Sequence, residues 1–175
     1  IGLGAAGTAI ARMLGAVTAK PVLGFDPGAE AIERLRALGG EPAKDVAELM
    51  ARVDLVVAVA GGSGLIAPGG VRRGQGSLAL AQREPEIRPE DALAAGAAFA
   101  ADGRSVNNLL GFPGILRAAI DVRARRIDYS MYVAAAKAIA ERARENELVP
   151  NPLRLDVHRA VARAVAEAAI KAGVA

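Results

Sequence analysis

Residues 1–14 read IGLGAAGTAIARML, and the fold turns on how that stretch is read. Gly2, Gly4 and Gly7 fit the spacing G-x-G-x-x-G. In a strand–turn–helix unit the first glycine allows the tight turn and the second lets the backbone approach a pyrophosphate. The third lets the helix pack closely on the strand. Ala5 and Ala6 open a helix predicted over 5–16, with Ile10, Met13 and Leu14 along one face. The start of such a helix presents oriented N–H groups and a partial positive charge to an anion. The next strand-like run, PVLGFD at 21–26, ends in Asp26. A carboxylate at that distance accepts hydrogen bonds from an adenosine ribose and repels the 2′-phosphate of NADP, so NAD is favoured. Arg34 and Arg36 lie beyond it and pull the preference the other way.

Such a loop normally ends a complete strand, yet only Ile1 precedes the first glycine. In a doubly wound sheet of order 3-2-1-4-5-6, strand 1 lies between strands 2 and 4. Without it, these neighbours would face each other across about 9.6 Å, twice the usual spacing, with unpaired backbone on both sides. Three expectations follow: the chain starts inside a larger polypeptide, a fragmentary gene carries part of an enzyme, or another chain supplies the strand.

The remaining segments alternate as a parallel sheet flanked by helices requires. Helices are predicted at 29–38, closed by Gly39-Gly40, and at 45–52. Strands are predicted at 53–59, 77–81 and 97–101, the first of them a β-branched run suited to a buried parallel position. Ala60 and Gly61 follow that run and open the glycine-rich loop GGSGLIAPGG at 61–70, placed on the ligand side. From Phe112 onward the pattern is helical only, at 114–124, 128–146 and 157–172. The predicted fold class is α/β. A Rossmann-like doubly wound parallel sheet spans 1–125, and an all-helical extension of the same domain spans 126–175.

Composition narrows the function classes. Hydrophobic residues make up 53% of the 175, but none of their runs reaches the roughly 18–20 needed to span a membrane. The absence of cysteine excludes disulfides, thiolate zinc sites and cysteine nucleophiles, and fits a cytoplasmic protein. The net charge is only +3, and the densest basic spots are the pairs at 72–73 and 125–126, so no nucleic-acid partner is predicted.

Three stretches carry a resemblance: REPEIRPEDALAAGAAFAADGRS at 83–105, VNNLLGFPGILRAAIDVRARRI at 106–127, and the alanine-rich tail at 134–175. Together they resemble the cofactor-binding half of bacterial malic enzymes. GLGAAGTAIAR at 2–12 and VDLVVAVAGGSGLIAP at 53–68 are similar to it as well. The resemblance implies NAD(P)-dependent oxidative decarboxylation of malate to pyruvate and carbon dioxide, with Mg or Mn in the complete enzyme, and a homo-oligomer, at least a dimer. It also implies that Asn107 contacts the nicotinamide ribose and Asn108 the substrate carboxylate. Neutral amides suit that task because they orient an anion without placing a permanent charge beside the hydride. On the residues alone, the asparagine pair reads as a turn before a helix.

The chain departs from the family in places. Where the family carries Asn-Pro after the strand at 77–81, this chain has Gln82-Arg83. Gln82 keeps an amide for cofactor and substrate but moves it by one methylene, and Arg83 adds a charge. Ser105 joins Val106 directly, where relatives carry several more residues. No catalytic residue is predicted here, because the family's lysine, tyrosine and acidic metal ligands come from a domain ahead of the glycine loop. Lys20, Lys44, Lys137 and Lys171 match no family position, and Tyr129 and Tyr132 are expected to pack. Asp91, Asp102 and Asp121 lack metal-ligand spacing, and His158 is expected at the surface. Two other readings stay open: a non-catalytic dinucleotide-binding module, and another NAD-dependent 2-hydroxy acid dehydrogenase.

Overall fold

The structure is a computed structural model that describes residues 1–80, 84–106, 108–145 and 147–175. The chain forms two compact units, Ile1–Val106 and Asn107–Ala175.

In the first unit, helices α1 (Ala5–Thr18), α2 (Ala29–Ala37), α3 (Val46–Arg52) and α4 (Pro89–Ala94) alternate with strands β1 (Leu23–Gly24), β2 (Glu41–Pro42), β3 (Leu55–Ala58), β4 (Gly76–Ala79) and β5 (Phe99–Asp102). All pairings are parallel: β1 with β2, and β3 with β4 and β5, in register Leu55↔Gly76 and Gly76↔Phe99. Ile1 and Gly2 join these two groups. The Ile1 amino group donates to Val57 O at 2.7 Å, and Val59 N donates to Ile1 O at 2.9 Å. On the other side Gly2 N donates to Phe25 O at 2.9 Å. The spatial order is therefore β2, β1, Ile1–Gly2, β3, β4, β5, which is the doubly wound order expected. At the central position Ile1 and Gly2 pair with both neighbours.

Local chemistry explains the flanking elements. Asp45, expected inside the third helix, instead caps it, its carboxylate accepting from Glu48 N at 2.7 Å. The last carbonyls of α3 are met by Gln75, which is 2% exposed and donates to Met50 O at 3.0 Å and Val53 O at 2.7 Å. Arg72 Nε also donates to Met50 O, so this member of a basic pair serves the fold. Ile1, Leu49, Met50, Val56 and Ala58 form one buried cluster, and Leu3, Ala11, Ala31 and Leu35 another.

The second unit is helical: α5 (Phe112–Asp121), α6 (Tyr129–Ala140) and α7 (Leu155–Lys171). Val157, Val161 and Val165 recur at four-residue spacing on α7 and are fully buried. Burial of each such side chain contributes about 1.5–3 kcal/mol. Ala118 of α5 and Met131, Ala135 and Ala138 of α6 pack in the same cluster. Thus α5, counted above with the sheet-bearing span, packs with α6 and α7. His158 is half-buried rather than at the surface, its Nε2 2.7 Å from Pro152 O. A Cβ on Gly114 would stand 2.6 Å from Val161 Cγ1 and 3.1 Å from His158 O. Gly114→Ala should therefore lower unfolding stability by about 1–3 kcal/mol. Gly69→Ala, where a Cβ would meet nothing within 4 Å, should leave it nearly unchanged; urea unfolding followed by circular dichroism compares the two.

Candidate cofactor site

The site grows from the glycine loop. Gly2 has φ +82°, a conformation that side chains rarely adopt, and a Cβ there would lie 2.8 Å from the backbone of Ala60. Gly7 sits in the first turn of α1, where a Cβ would be 1.8 Å from Gly2 O. Only glycine lets helix and loop approach that closely. Gly4 differs: a Cβ there would meet nothing within 4 Å. It is the N-cap of α1 with φ −65°, and no side chain caps the helix. The first-turn N–H groups, including those of the exposed Ala5 and Ala6, therefore have no intrahelical acceptor and face an open approach. Partial positive charge and free donors at one place suit a phosphate oxygen.

Asp26 follows β1 and anchors the base of this loop. Its Oδ2 accepts from Leu3 N at 2.7 Å and its Oδ1 from Gly28 N at 2.8 Å. Each oxygen keeps acceptor capacity for a further donor. Arg34 reaches the same neighbourhood, donating to Leu3 O at 3.4 Å, while Arg36 pairs with Glu33.

Ala60 and Gly61 are exposed beside Gly2, but their N–H groups are already used. Glu86 Oε1 accepts both, at 2.6 Å and 3.0 Å. Glu86 is 0% exposed, and among the described residues its buried Oε2 has no hydrogen-bond partner. Its backbone carbonyl also accepts from Ile66 N at 3.0 Å, so one residue fixes both ends of the loop at 60–66. Sequence reasoning missed this role. The available signal was an acid between Pro85 and Ile87 soon after a strand.

Gln82 and Asn107, expected at the cofactor, lie outside the described residues, as does Arg83. Asn108 is exposed and opens a short 3-10 turn at Asn108–Leu110 that leads into α5. Asp102 ends β5, where its Oδ1 accepts from Arg104 N, Ser105 N and Ser105 Oγ at 3.0–3.2 Å. Burial pushes its carboxyl up, but the hydrogen bonds from Ser105 and Arg104 outweigh that and hold it below its ordinary value of 3.8. Among the described residues no group of three or more His, Cys, Asp or Glu side chains is placed to hold a metal, so these residues do not fit a Mg or Mn centre. No helix of the described residues is long and apolar enough to cross a membrane.

Two outcomes test this geometry. Glu86→Ala leaves the Ala60 and Gly61 donors unmatched and should lower stability by about 1–3 kcal/mol. Glu86→Gln keeps a carbonyl acceptor and should lose less than half as much in urea unfolding. Because Asp102 has a depressed folded-state pKa, its contribution is present above the ordinary value of 3.8 and is lost as pH falls through the lower folded value. The stability gap between the parent and Asp102→Asn should thus shrink below pH 3.8, as chemical unfolding at stepped pH would read out.

Comparison with known proteins supplies the context. The family "Malic enzyme, NAD binding domain" matches residues 96–174. The chain is 52% identical over 172 residues to NAD-dependent malic enzyme 1 of Bacillus subtilis, covering 98% of this chain and 39% of that protein. It is 39% identical over 123 residues to an NADP-dependent malic enzyme of Rhizobium meliloti, covering 56% of this chain and 16% of that one. The crystal structure of Entamoeba histolytica malic enzyme superposes with a TM-score of 0.84 at 28% identity, over 99% of this chain and 42% of that chain. The chain thus spans about two-fifths of the length of relatives that match nearly all of it. The likeness extends from the glycine loop to the last helix, and on that basis the chain belongs to the malic enzyme family, with residues 96–174 corresponding to its NAD-binding domain.

Proposed function

We propose that this chain is the NAD-binding part of an oxidoreductase that oxidatively decarboxylates malate to pyruvate and carbon dioxide. The observation that carries the reading is the open approach at Gly4 onto the uncapped start of α1. Gly2 and Gly7 are consumed by packing, whereas Gly4 has space where its Cβ would be, as a site for a pyrophosphate requires. In this reading Ala5, Ala6 and Gly7 donate to the pyrophosphate, Asp26 accepts from the adenosine ribose, and Ala60 and Gly61 line the cofactor as a fixed wall. NAD, when bound, accepts the hydride. Gln82 and Asn107 are assigned to the cofactor, and Gln82 and Asn108 to the malate carboxylates, on the family resemblance. Mg or Mn, and the lysine and tyrosine of the chemistry, belong to the remainder of the enzyme. A cytoplasmic homo-oligomer, at least a dimer, is the proposed assembly, with support from the cysteine-free composition and the family.

NAD is preferred over NADP because Asp26 places negative charge where the 2′-phosphate would sit; Arg34 limits the margin. Calorimetric titration should find NAD binding at least tenfold tighter than NADP, about 1.4 kcal/mol. Gly4→Val separates fold from function, since φ −65° suits any residue and the Cβ meets open space. The variant should unfold at the same urea concentration as the parent and bind NAD at least tenfold more weakly. Unchanged affinity would contradict the reading.

A further inference from the structure

The two flanks of the glycine loop differ in polarity. At the start of α1 the Ala5 and Ala6 N–H groups have no intrahelical acceptor and lie beside open space at Gly4. Beyond the end of β3 the arrangement is reversed. The Ala60 and Gly61 N–H groups point inward, to the Oε1 of the fully buried Glu86 at 2.6 Å and 3.0 Å. None of the peptide bonds is cis, and in a trans unit the C=O and N–H vectors oppose one another. The Val59 and Ala60 carbonyls are therefore directed away from Glu86. Ala60 and Gly61 are exposed, and a Cβ on Gly61 would meet nothing within 4 Å. This segment thus turns the negative ends of two peptide dipoles outward, with a carboxylate behind them.

Among the described residues those two N–H groups are the donors to the Glu86 side chain, and Oε2 has no partner. A buried carboxylate with so little compensation acts strongly on a charge placed nearby, because little water lies between to screen it. The loop keeps its place over that charge, since Ile66 N donates to Glu86 O at 3.0 Å. Strand order decides which end of a dinucleotide meets this wall. Asp26, at the end of β1, takes the adenosine ribose, and the start of α1 takes the pyrophosphate. The remaining half then runs to the other side of Gly2, over the end of β3 and against Ala60 and Gly61.

We propose that Glu86 makes this site select the redox state of its cofactor, holding oxidised NAD in preference to NADH. The proposal rests on the dinucleotide reading above. The nicotinamide ring of oxidised NAD carries a positive charge. Uptake of a hydride, which brings two electrons and a proton, cancels that charge and leaves a neutral ring in NADH. Adenine, both riboses and the pyrophosphate are the same in the two forms, so Asp26 and the start of α1 cannot tell them apart. The outward carbonyls at 59–60 and the carboxylate behind them can, because their attraction is for a cation. Glu86 is a positioning residue here: it acts through the Ala60–Gly61 backbone and does not touch the ring. It holds the charged ring before hydride transfer and loses that hold afterwards, which favours release of NADH.

The test is calorimetric titration of the 175-residue chain and of its Glu86→Gln variant with oxidised NAD, NADH and ADP-ribose. Glutamine keeps a carbonyl acceptor for the Ala60 and Gly61 N–H groups and removes the charge. The parent should bind oxidised NAD about threefold or more tightly than NADH, and the substitution should shift that ratio about tenfold toward NADH. A loosened loop would weaken both forms alike and leave the ratio where it was, so an unchanged ratio in the folded variant overturns the proposal. Should Glu86→Gln fail to fold, the parent decides, and tighter binding of NADH than of oxidised NAD overturns it equally. ADP-ribose lacks the ring and reports on the rest of the site. Its binding to a parent that does not favour oxidised NAD would refute the role of Glu86 and leave the dinucleotide reading intact. Absence of ADP-ribose binding would overturn that reading, and this proposal with it.

Discussion

Three hydrogen bonds, from Ile1 N to Val57 O, from Val59 N to Ile1 O and from Gly2 N to Phe25 O, turn two small sheets into one. The β1–β2 pair is only two residues long, and a ladder that short is not independently stable. Held through Ile1–Gly2, it becomes the flank of a larger twisted sheet. The same tie positions the glycine loop, because the residue that bonds to Phe25 is the one that turns at φ +82° against Ala60. Ile1 and Gly2 thus take part in both the sheet pairing and the site geometry.

From that tie the site follows in layers. Asp26 holds the backbone on one side of the loop and Glu86 holds Ala60 and Gly61 on the other. Two carboxylates thus brace the turn, and neither is a helix cap. Glu86 is the more demanding of the two, since it is fully buried with one oxygen unmatched among the described residues. Burial of that kind raises the penalty for any movement of the loop at 60–66 and keeps a fixed wall beside Gly2.

Much of this was legible in the sequence because it rests on local rules. The glycine spacing foretold which glycine turns and which packs, and the β-branched run at 53–59 foretold β3. Other parts depend on tertiary context. Strand β2 is two residues with a proline and has no periodic signature; it exists because Glu41 and Ala43 pair with the β1 edge. Helix α4 was not anticipated: Pro89 at its first turn, followed by Glu90 and Asp91, was a start signal, but six residues are too few for a periodicity. The helix expected over 128–146 ends at Ala140, where the apolar spacing gives way to Glu141-Arg142. The bracing role of Glu86 was missed because its one local signal, an acid between Pro85 and Ile87, does not reveal two backbone N–H partners 25 and 26 residues away.

The central claim is that the glycine loop and the bare start of α1 form a dinucleotide site. A crystal structure of this chain grown with NAD tests it most directly. The account predicts pyrophosphate oxygens within hydrogen-bond reach of the Ala5 and Ala6 N–H groups and the adenosine ribose against Asp26. A nucleotide bound elsewhere, with the start of α1 facing only solvent, would contradict it.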